Sequence, residues 1–348
     1  QGETRSTVRL RGGLQVDLRA VAAASYGAAL HYFTGSKDHN IACRQRGVDR
    51  GLKINEYGVF EADDQEEQVA GETEEEVYEL IEMDFVPPEL REKRGEIEAA
   101  EAGRLPELVT LEELRGDLHT HTDETDGRNT LGEMVEAARD FGHDYYGVTD
   151  HSENLTVVDG MDAERLRAQM AAIDELNEEF DEITILKGCE VDILKDGTLD
   201  LDDDVLGELD YTVCSIHQHF RLGEEEQTER VLRAMENPNC TILGHLTGRL
   251  LGKREAYAID VERILEEAAD CGVLVEVNAQ PQRLDLRDIH LRQAKELGVP
   301  VVIETDAHST EHLRYIRYGV DQARRGWLEA DDVANTRPLD ELLALFDR

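Results

Sequence analysis

From residue 115 onward, short apolar runs alternate with stretches of helical period. The predicted strands cover residues 116–118, 145–149, 183–188, 211–215, 241–243, 273–277 and 299–304. A helix is predicted over 131–141, where Thr130 and Glu133 form a capping box and Gly142 ends the helix. Repeated strand–helix units predict an α/β fold with a parallel sheet, either open or closed, and seven strands favour an incomplete TIM-like barrel.

The less regular N-terminal part is predicted to contain two strands around one helix, followed by an acidic loop and a connector. The ranges are 14–21 and 52–60 for the strands, 26–47 for the helix, 61–76 for the loop and 86–114 for the connector. The predicted domain organisation is therefore 1–85, 86–114 and 115–348. Charges or glycines interrupt every apolar run before the roughly 18 residues that a membrane span requires, so no membrane partner is expected.

Composition adds an unusual charge balance. The chain has 37 Lys+Arg against 78 Asp+Glu, and the net charge of −41 excludes a basic protein that coats nucleic acid. Only 7 of the cationic residues are lysine. This pattern indicates a proteome adapted to high salt, such as that of a halophilic archaeon, because the Debye length falls to about 3 Å in molar salt and self-repulsion is screened. An ordinary acidic mesophilic protein is the alternative.

The cysteines indicate the compartment. Their odd number and the lack of CxxC spacing argue against a disulfide framework and against a zinc finger, so a reducing cytoplasm is predicted. The five cysteines are Cys43, Cys189, Cys214, Cys240 and Cys271. Asp17 and Arg19 lie where the apolar core of a signal peptide would begin, which argues against such a leader. Gln1 in place of Met indicates a fragment or a trimmed chain.

Candidate metal ligands follow six of the seven predicted strands. In a barrel the carboxyl ends of all strands open on one face, so these side chains are expected to converge. The nine candidate ligands are His119, His121, Asp126, His151, Glu190, His217, His245, Asp306 and His308. Imidazoles mixed with carboxylates suit Zn²⁺, Mn²⁺ or Fe²⁺, whereas Ca²⁺ and Mg²⁺ prefer oxygen ligands. Nine ligands predict two or three ions, as in two-metal phosphoryl-transfer sites.

Other residues near these strand ends have weaker signals. Arg249 and Arg283 are candidate phosphate clamps, because guanidinium binds phosphate in a bidentate manner, although surface ion pairing is an equal alternative. Cys189 is a conceivable ligand, but its neighbour Glu190 is preferred because a carboxylate can bridge two ions. His219 is predicted to support the ligands or to face substrate. The remaining histidines are predicted to be surface or satisfied core residues: His31, His39, His143, His290 and His312.

The ordered motifs RGDLHTH at 115–121, DG at 126–127, TDH at 149–151, SIH at 215–217 and DAH at 306–308 resemble those of the polymerase and histidinol phosphatase (PHP) family of phosphoesterases. The resemblance covers residues 115–348 and implies a distorted (β/α)7 barrel in which Glu190 and Asp306 are catalytic. It implies three ligand sets: His119, His121, Glu190 and Asp306; Glu190, His217 and His245; and Asp126, His151 and His308. The implied activity is 3′-to-5′ exonuclease or 3′-end cleaning of DNA, with action at abasic sites an option.

The motifs VDLR at 16–19, YFTGS at 32–36 and NEYG at 55–58 resemble the last palm strand and the following nucleotide-contacting subdomain of family X DNA polymerases. By this resemblance Asp17 is the third catalytic aspartate. The implied nucleotide-binding and template-binding residues are Tyr32, Phe33, Gly35, Asn40 and Arg44. The barrel would then follow a small α+β unit made of a partial palm and that subdomain.

Residues 1–16 hold no aspartate for the Asp-x-Asp pair of that family. The chain is therefore expected to be the C-terminal part of a family X polymerase that serves DNA repair. Catalysis of polymerisation by Asp17, with bound Mg²⁺ and nucleotide, is expected only in the complete protein. DNA 3′ ends and gaps are the expected partners of the phosphoesterase. Two rivals remain: a phosphatase of small phosphate monoesters, as in histidinol phosphatases, and a DNA-binding module whose metals are structural.

Overall fold

The computed structural model describes residues 4–64 and 67–347. The chain divides into two compact units, Gln1–Pro106 and Glu107–Arg348, called here the N-terminal unit and the C-terminal unit. The predicted boundaries at 85 and 114 stay predictions. Within the described ranges, none of the helices has the length and apolar character needed to cross a bilayer.

Among its described residues, the N-terminal unit contains two antiparallel sheets and four α-helices. Strands β1 and β2 form a hairpin, and β3, β4 and β5 form a three-stranded sheet. The strands are β1 Arg5–Arg9, β2 Gln15–Arg19, β3 Leu52–Asn55, β4 Gly58–Glu61 and β5 Gln68–Ala70. The helices are α1 Tyr26–Phe33, α2 Lys37–Val48, α3 Glu74–Leu80 and α4 Glu96–Glu101.

Local chemistry explains where this unit departs from the sequence-based prediction. The single helix predicted over 26–47 is wrong, because α1 ends at Phe33 and a separate helix, α2, begins at Lys37. Ser36 caps α2 by accepting a hydrogen bond from the backbone N–H of His39. The single strand predicted over 52–60 is also wrong. There Asn55 accepts a hydrogen bond from the N–H of Tyr57 and turns the chain between β3 and β4.

The acidic stretch is only partly a loop. Strand β5 and the start of α3 lie within the range 61–76 that was predicted to be a loop, while Gln65 and Glu66 fall outside the described residues. Thr73 accepts a hydrogen bond from the N–H of Glu76, so the glutamates of this run occupy the first turn of α3, where the helix dipole favours them. In the predicted connector, α4 is the helical segment.

The described part of the C-terminal unit, residues 107–347, has eight short parallel strands in two sheets, in the orders β6-β7-β8 and β13-β12-β11-β10-β9. They are β6 Gly116–Asp117, β7 Tyr145–Val148, β8 Thr184–Lys187, β9 Glu190–Asp192, β10 Val213–Ser215, β11 Ile242–Leu243, β12 Leu274–Asn278 and β13 Val301–Glu304. Every residue of β12 and β13 is buried, as expected for strands covered on both faces. The predicted parallel sheet is confirmed.

Two isolated parallel bridges join the edges of these sheets. Thr120 pairs with Ala307 beyond the ends of β6 and β13, and His151 pairs with Glu190 beyond β7. The third predicted strand, 183–188, corresponds to β8, and β9 follows it as a separate strand that belongs to the other sheet. The bridges therefore link the two sheets through residues that follow β6, β7 and β13 and through the first residue of β9, while full closure into a barrel stays a prediction.

Helices connect the strands of the C-terminal unit. They are α5 Leu131–Phe141, α6 Ala163–Glu179, α7 Asp203–Leu206, α8 Glu224–Met235, α9 Val261–Cys271, α10 Asp288–Leu297, α11 Ile316–Arg325 and α12 Leu339–Phe346. The prediction for α5 is confirmed: Thr130 and Glu133 form the capping box, and Gly142 ends the helix at a φ of 99°. This helical layer leaves the carboxyl ends of the strands to the loops that hold the site.

Candidate metal centre

All nine predicted ligands meet where the parallel strands end, and they are called here the central cluster. Glu190 opens β9, whereas the other eight lie in the segments that follow β6, β7, β10, β11 and β13. Side chains spread over nearly 190 residues of sequence therefore share one site, as parallel strand ends dictate.

Glu190 lies at the middle of the central cluster. Its Oε1 is 3.2 Å from His217 Nε2 and 2.9 Å from His245 Nε2. Its Oε2 is 3.0 Å from His151 Nδ1. The same oxygen lies 3.3 and 3.5 Å from the Nε2 atoms of His119 and His121. One carboxylate thus faces five imidazoles, which is the position that a bridging ligand requires.

Two further carboxylates complete the central cluster. Asp306 Oδ1 lies 3.3 Å from His121 Nε2. Asp126 Oδ2 lies 3.2 Å from His308 Nε2, and its Oδ1 lies 3.5 Å from His151 Nε2. The site therefore sets three carboxylates among six imidazoles.

Several buried atoms of the central cluster have no hydrogen-bond partner. They are His119 Nε2, both ring nitrogens of His121, Asp126 Oδ1 and His151 Nδ1. Buried polar atoms are normally paired, and unpaired lone pairs directed at neighbouring carboxylates fit cations between them. The donor set of imidazole nitrogens and carboxylate oxygens matches Zn²⁺, Mn²⁺ and Fe²⁺.

Eight of the nine ligands, all except His245, fall into three overlapping groups, each with one ligand atom per residue and all of these atoms within 4.8 Å of one another. The groups are His121, Asp126, His151 and His308; His119, His121 and Asp306; and His151, Glu190 and His217. They resemble the implied ligand sets, but His121 and His151 each occur in two groups. The division of the nine ligands among individual ions stays a prediction.

The charges of the central cluster favour cations. Burial opposes ionisation of Glu190, but the surrounding imidazoles of His217, His119 and His151 outweigh it and hold the pKa of the carboxyl well below its usual range. Burial likewise lowers the pKa of His308, but hydrogen bonding to Asp126 and the charge of Asp306 raise it to about 9. The carboxylates are thus ionised at neutral pH. Burial lowers the pKa of His121 to about 4 and that of His245 to about 3, so these two rings are neutral and keep a lone pair for a cation.

Two buried carboxylates that the sequence analysis missed orient the ligands. Glu276 in β12 lies with Oε1 2.7 Å from His119 Nδ1, and Asp192 in β9 lies with Oδ1 2.6 Å from His217 Nδ1. Each fixes one ring nitrogen as the donor and leaves Nε2 free for a cation. A signal for Glu276 existed, since it is an acidic residue inside an apolar strand, and that strand was the one without a predicted ligand.

Asp150 of the TDH motif has a structural role beside the central cluster. Its carboxylate accepts hydrogen bonds from the backbone N–H of Thr122 at 2.9 Å and from Gln169 Nε2 at 2.7 Å. These bonds tie the loop after β6 to α6. Asp150 therefore shapes the segment that carries His121 without facing the ligand atoms itself.

The two arginines predicted to bind phosphate have different surroundings. Arg283 Nε is 3.2 Å from Asp306 Oδ2, with 17% of the side chain exposed. Arg249 Nε donates to the backbone carbonyl of Arg283 at 2.8 Å, and its Nη2 donates to the carbonyl of Leu284. Arg283 therefore lies at the edge of the central cluster, whereas Arg249 holds the loop that carries Arg283. A direct role of Arg249 at phosphate stays a prediction.

Other candidates lie around the central cluster without joining it. Cys189 is buried, with Sγ 3.3 Å from the carbonyl oxygen of Asp150, and burial raises the pKa of its thiol well above the usual value. His219 is exposed on a loop with a φ of 60°. His312 Nδ1 accepts a hydrogen bond from the backbone N–H of His308 at 3.3 Å, so it supports the loop of that ligand.

The predicted polymerase residues lie in the N-terminal unit. Asp17 is in β2, where its carboxylate accepts hydrogen bonds from Arg5 Nη2 at 2.9 Å and Thr7 Oγ1 at 2.5 Å. Tyr32 and Phe33 end α1 with their rings 5.0 Å apart in an edge-to-face arrangement. Their roles at a nucleotide stay predictions.

Three more of these residues lie around the break between α1 and α2. Gly35 adopts a φ of 84°, and a Cβ there would collide with Arg91. Asn40 Nδ2 donates to the carbonyl oxygen of Tyr32 at 3.1 Å, which fixes α2 against the end of α1. Arg44 is exposed on α2. Asn40 thus has a structural contact, and nucleotide or template contacts of all three stay predictions.

Comparison with known families gives two matches along the chain. The family model described as DNA polymerase beta thumb matches residues 29–92, and the one described as PHP domain matches residues 117–280. The matched ranges include the YFTGS, NEYG, TDH and SIH motifs, whereas the VDLR motif at 16–19 and the DAH motif at 306–308 lie outside them.

Individual relatives extend this picture. The DNA polymerase/3′-5′ exonuclease PolX of Bacillus subtilis is 43% identical over 349 residues, covering 100% of this chain and 61% of that protein. The chain thus spans about three fifths of the length of that relative. A probable phosphatase of Clostridium acetobutylicum is 30% identical over 202 residues, covering 55% of this chain and 78% of the relative. A crystal structure of histidinol phosphate phosphatase from Lactococcus lactis, complexed with zinc, L-histidinol and phosphate, aligns with 18% identity and a TM-score of 0.43, covering 60% of this chain and 93% of that chain.

Proposed function

This chain belongs to the PHP family, with a DNA polymerase beta thumb before its PHP domain, and from that premise we propose that its C-terminal unit is a metal-dependent phosphoesterase that trims 3′ ends of DNA. The observation that carries the proposal is the position of Glu190, whose carboxylate faces five imidazoles at a strand-end site. PolX, which shares 43% identity over the whole chain, is named as a 3′-5′ exonuclease and supports this substrate.

The central cluster would hold two or three divalent cations, of which Mn²⁺, Zn²⁺ and Fe²⁺ suit the ligands. When bound, such cations lower the pKa of water and neutralise charge on a phosphate. The chain itself contributes the carboxylate of Glu190 between the imidazoles, and Glu276 and Asp192 keep His119 and His217 oriented. Metal identity and the ligands of each ion belong to the proposal.

Arg283 would bind the substrate phosphate. Its guanidinium is partly exposed at Asp306, so it can exchange that ion pair for a bidentate contact with a phosphate oxygen pair. Arg249 acts as a positioning residue in this proposal, because it donates to the carbonyl groups of Arg283 and Leu284 and fixes the loop. Asp306 and Glu190 are the proposed catalytic carboxylates.

Access to solvent argues for chemistry at this site and against purely structural metals. The side chains of Asp126 and His308 are each 28% exposed, so one side of the central cluster is open to a substrate. A structural zinc site, by contrast, is closed by its own ligands. This opening disfavours the DNA-binding module without catalysis.

The N-terminal unit would bring DNA to this activity. Its match to a polymerase beta thumb supports contact with primer–template DNA through Tyr32, Phe33, Gly35, Asn40 and Arg44. Nucleotide binding and DNA polymerisation with Mg²⁺ at Asp17 are proposed only for a longer protein of the kind that PolX represents. DNA repair is the proposed process, and a reducing cytoplasm and a high-salt habitat such as that of a halophilic archaeon are part of the same proposal.

A phosphatase that acts on small phosphate monoesters is the second candidate, favoured by the 30% identity to a probable phosphatase. The two functions are separated by kcat/KM on single-stranded DNA and on p-nitrophenyl phosphate with Mn²⁺. We expect DNA to be preferred by the wild type and by the control variant His143→Gln, which lies outside the central cluster. A preference for p-nitrophenyl phosphate would establish the phosphatase instead.

A further inference from the structure

A second group of potential metal ligands lies in the N-terminal unit, away in sequence from the central cluster. It consists of His31 on α1 and of His39 and Cys43 on α2, and it is called here the thumb cluster. One ligand atom from each residue lies within 4.8 Å of the other two, and all three residues are buried. His39 and Cys43 are four residues apart on α2, so both face the same side of that helix.

His31 gives the strongest sign of a missing partner. The residue has no exposed surface, and neither of its ring nitrogens has a hydrogen-bond partner. A buried imidazole carries one lone pair and one N–H, and leaving both unpaired is costly. Burial lowers the pKa of His31 to about 3, so the ring is neutral at physiological pH and keeps a lone pair for a ligand.

His39 is already oriented as a metal-binding imidazole would be. Its Nδ1 lies 2.7 Å from Glu96 Oε1, while Nε2 faces Cys43 Sγ at 3.4 Å and Tyr78 Oη at 2.9 Å. The backbone N–H groups of Lys93 and Arg94 donate to the same carboxyl group, which fixes it as an acceptor. A carboxylate on one ring nitrogen, with the second nitrogen directed at the other candidate ligands, matches the usual arrangement around zinc-bound histidine.

We infer that the thumb cluster binds one zinc-class cation through a ring nitrogen of His31, Nε2 of His39 and the thiolate of Cys43. Two imidazoles and one thiolate form a donor set that zinc accepts, and the phenol oxygen of Tyr78 lies within reach of the fourth position. Tetrahedral zinc needs ligand atoms roughly 3.3 to 3.8 Å apart. The 3.4 Å between His39 Nε2 and Cys43 Sγ already fits, whereas the ring nitrogen of His31, which lies within 4.8 Å of a ligand atom of each, has to move closer.

The charges around the thumb cluster are compatible with a cation. Arg91 is buried nearby and opposes positive charge, but its Nη1 forms an ion pair with Glu74 at 2.5 Å, and Glu96 lies on the other side. Burial raises the pKa of the Cys43 thiol to about 12, so a cation has to displace the thiol proton when it binds. Binding should therefore release a proton to solvent.

The test uses the full chain titrated with Cd²⁺, which substitutes for zinc and gives an ultraviolet sulfur-to-metal charge-transfer band only when a thiolate binds it. We expect this band in the wild type, together with proton release. It should vanish in Cys43→Ser and fall strongly in His31→Leu, while Cys271→Ser, the matched cysteine control, keeps it. The Glu190→Gln variant should also keep the band, because the central cluster supplies only nitrogen and oxygen.

Failure to fold is checked by far-ultraviolet circular dichroism and urea unfolding, in which Cys43→Ser and His31→Leu should keep the helical signal and the cooperative transition of the wild type. The wild-type titration needs no substitution at all. A wild type without the band, or a Cys43→Ser variant that keeps it, would overturn the inference. A band that disappears in Glu190→Gln and persists in Cys43→Ser would also overturn it, without affecting the proposed nuclease.

Discussion

Glu276 Oε1 lies 2.7 Å from His119 Nδ1, within the fully buried strand β12. The other partners of this carboxyl group are the backbone N–H of His245 and Asn278 Nδ2, and both can only donate. Glu276 is therefore an acceptor on all sides, so His119 carries its proton on Nδ1 and directs the lone pair of Nε2 toward Glu190 and Asp306. A residue outside the ligand set fixes the tautomer of a ligand.

Replacing Glu276 by Gln should weaken metal binding at the central cluster about 10- to 100-fold, the usual cost of losing a carboxylate that orients a histidine ligand. The glutamine side chain would direct its NH₂ group at one of the donors that bond to the Glu276 carboxylate, which are His119 Nδ1, the backbone N–H of His245 and Asn278 Nδ2. Competition titration with a chromophoric chelator measures the effect. Glu266→Gln, on the exposed face of α9, is the matched control and should bind metal like the wild type. Equal affinities in the two variants would rule out this role for Glu276.

The 348-residue chain should not incorporate nucleotides by itself. Asp17 is held by Arg5 and Thr7, and none of the groups of potential metal ligands found among the described residues includes it. Two-metal polymerisation needs several carboxylates around the ions. Primer extension on gapped DNA with Mg²⁺ or Mn²⁺ measures this, and template-directed extension that Asp17→Ala abolishes would contradict the prediction.

Salt should stabilise and activate the protein. At a net charge of −41 the chain repels itself and DNA at low ionic strength, and molar KCl shortens the Debye length to about 3 Å. We expect both Tm and the rate of DNA hydrolysis to rise from about 0.1 M toward molar KCl, before counterion competition weakens DNA binding. A Tm and a rate that both peak near 0.1 M would instead favour an ordinary acidic mesophilic protein.

Acid should destabilise the protein partly through His143. Burial lowers the pKa of this imidazole to about 4 in the folded state, against about 6.5 when unfolded. The unfolded state therefore binds more protons between these values, and the free energy of unfolding falls as the pH drops. The loss from His143 between pH 7 and pH 5 is about 2 kcal/mol.

Urea unfolding at pH 7 and pH 5 measures this loss. In His143→Gln the change between the two pH values should be smaller than in the wild type by about 2 kcal/mol, because glutamine does not titrate. The same change in both proteins would show that His143 is protonated, or solvated, in the folded state.

Residues at strand ends were predictable because a polar motif directly after an apolar run marks the point where a buried strand opens to a site. His151, His217 and His245 all follow this rule, and so does the Asp306–His308 segment. Glu276 did not, because it lies inside its strand, and a single acidic residue among valines does not reveal which histidine it faces across 157 residues of chain.

Local breaks were harder to predict than long-range convergence. Apolar residues recur two or three positions apart across the turn, at Leu52, Ile54, Tyr57 and Val59, so the pattern predicted one strand where the backbone reverses. Strands β1 and β2 pair through residues that are mostly exposed. Because neither strand has a buried face, no alternation of apolar and polar residues indicates that they pair. His31 was predicted to be a surface or satisfied core residue, yet it is buried with both ring nitrogens unpaired, which is visible only once the neighbouring side chains are placed.

The central claim is tested most directly with single-stranded DNA labelled at its 3′ end or at its 5′ end, incubated with Mn²⁺ and wild-type protein, Glu190→Gln or His143→Gln. The wild type and His143→Gln should release the 3′ label at once as a mononucleotide and shorten the 5′-labelled strand step by step. Glu190→Gln should be slower by about 100-fold or more, because it lacks the carboxylate between five imidazoles. Equal rates for Glu190→Gln and His143→Gln, or digestion that persists in excess chelator, would contradict the account.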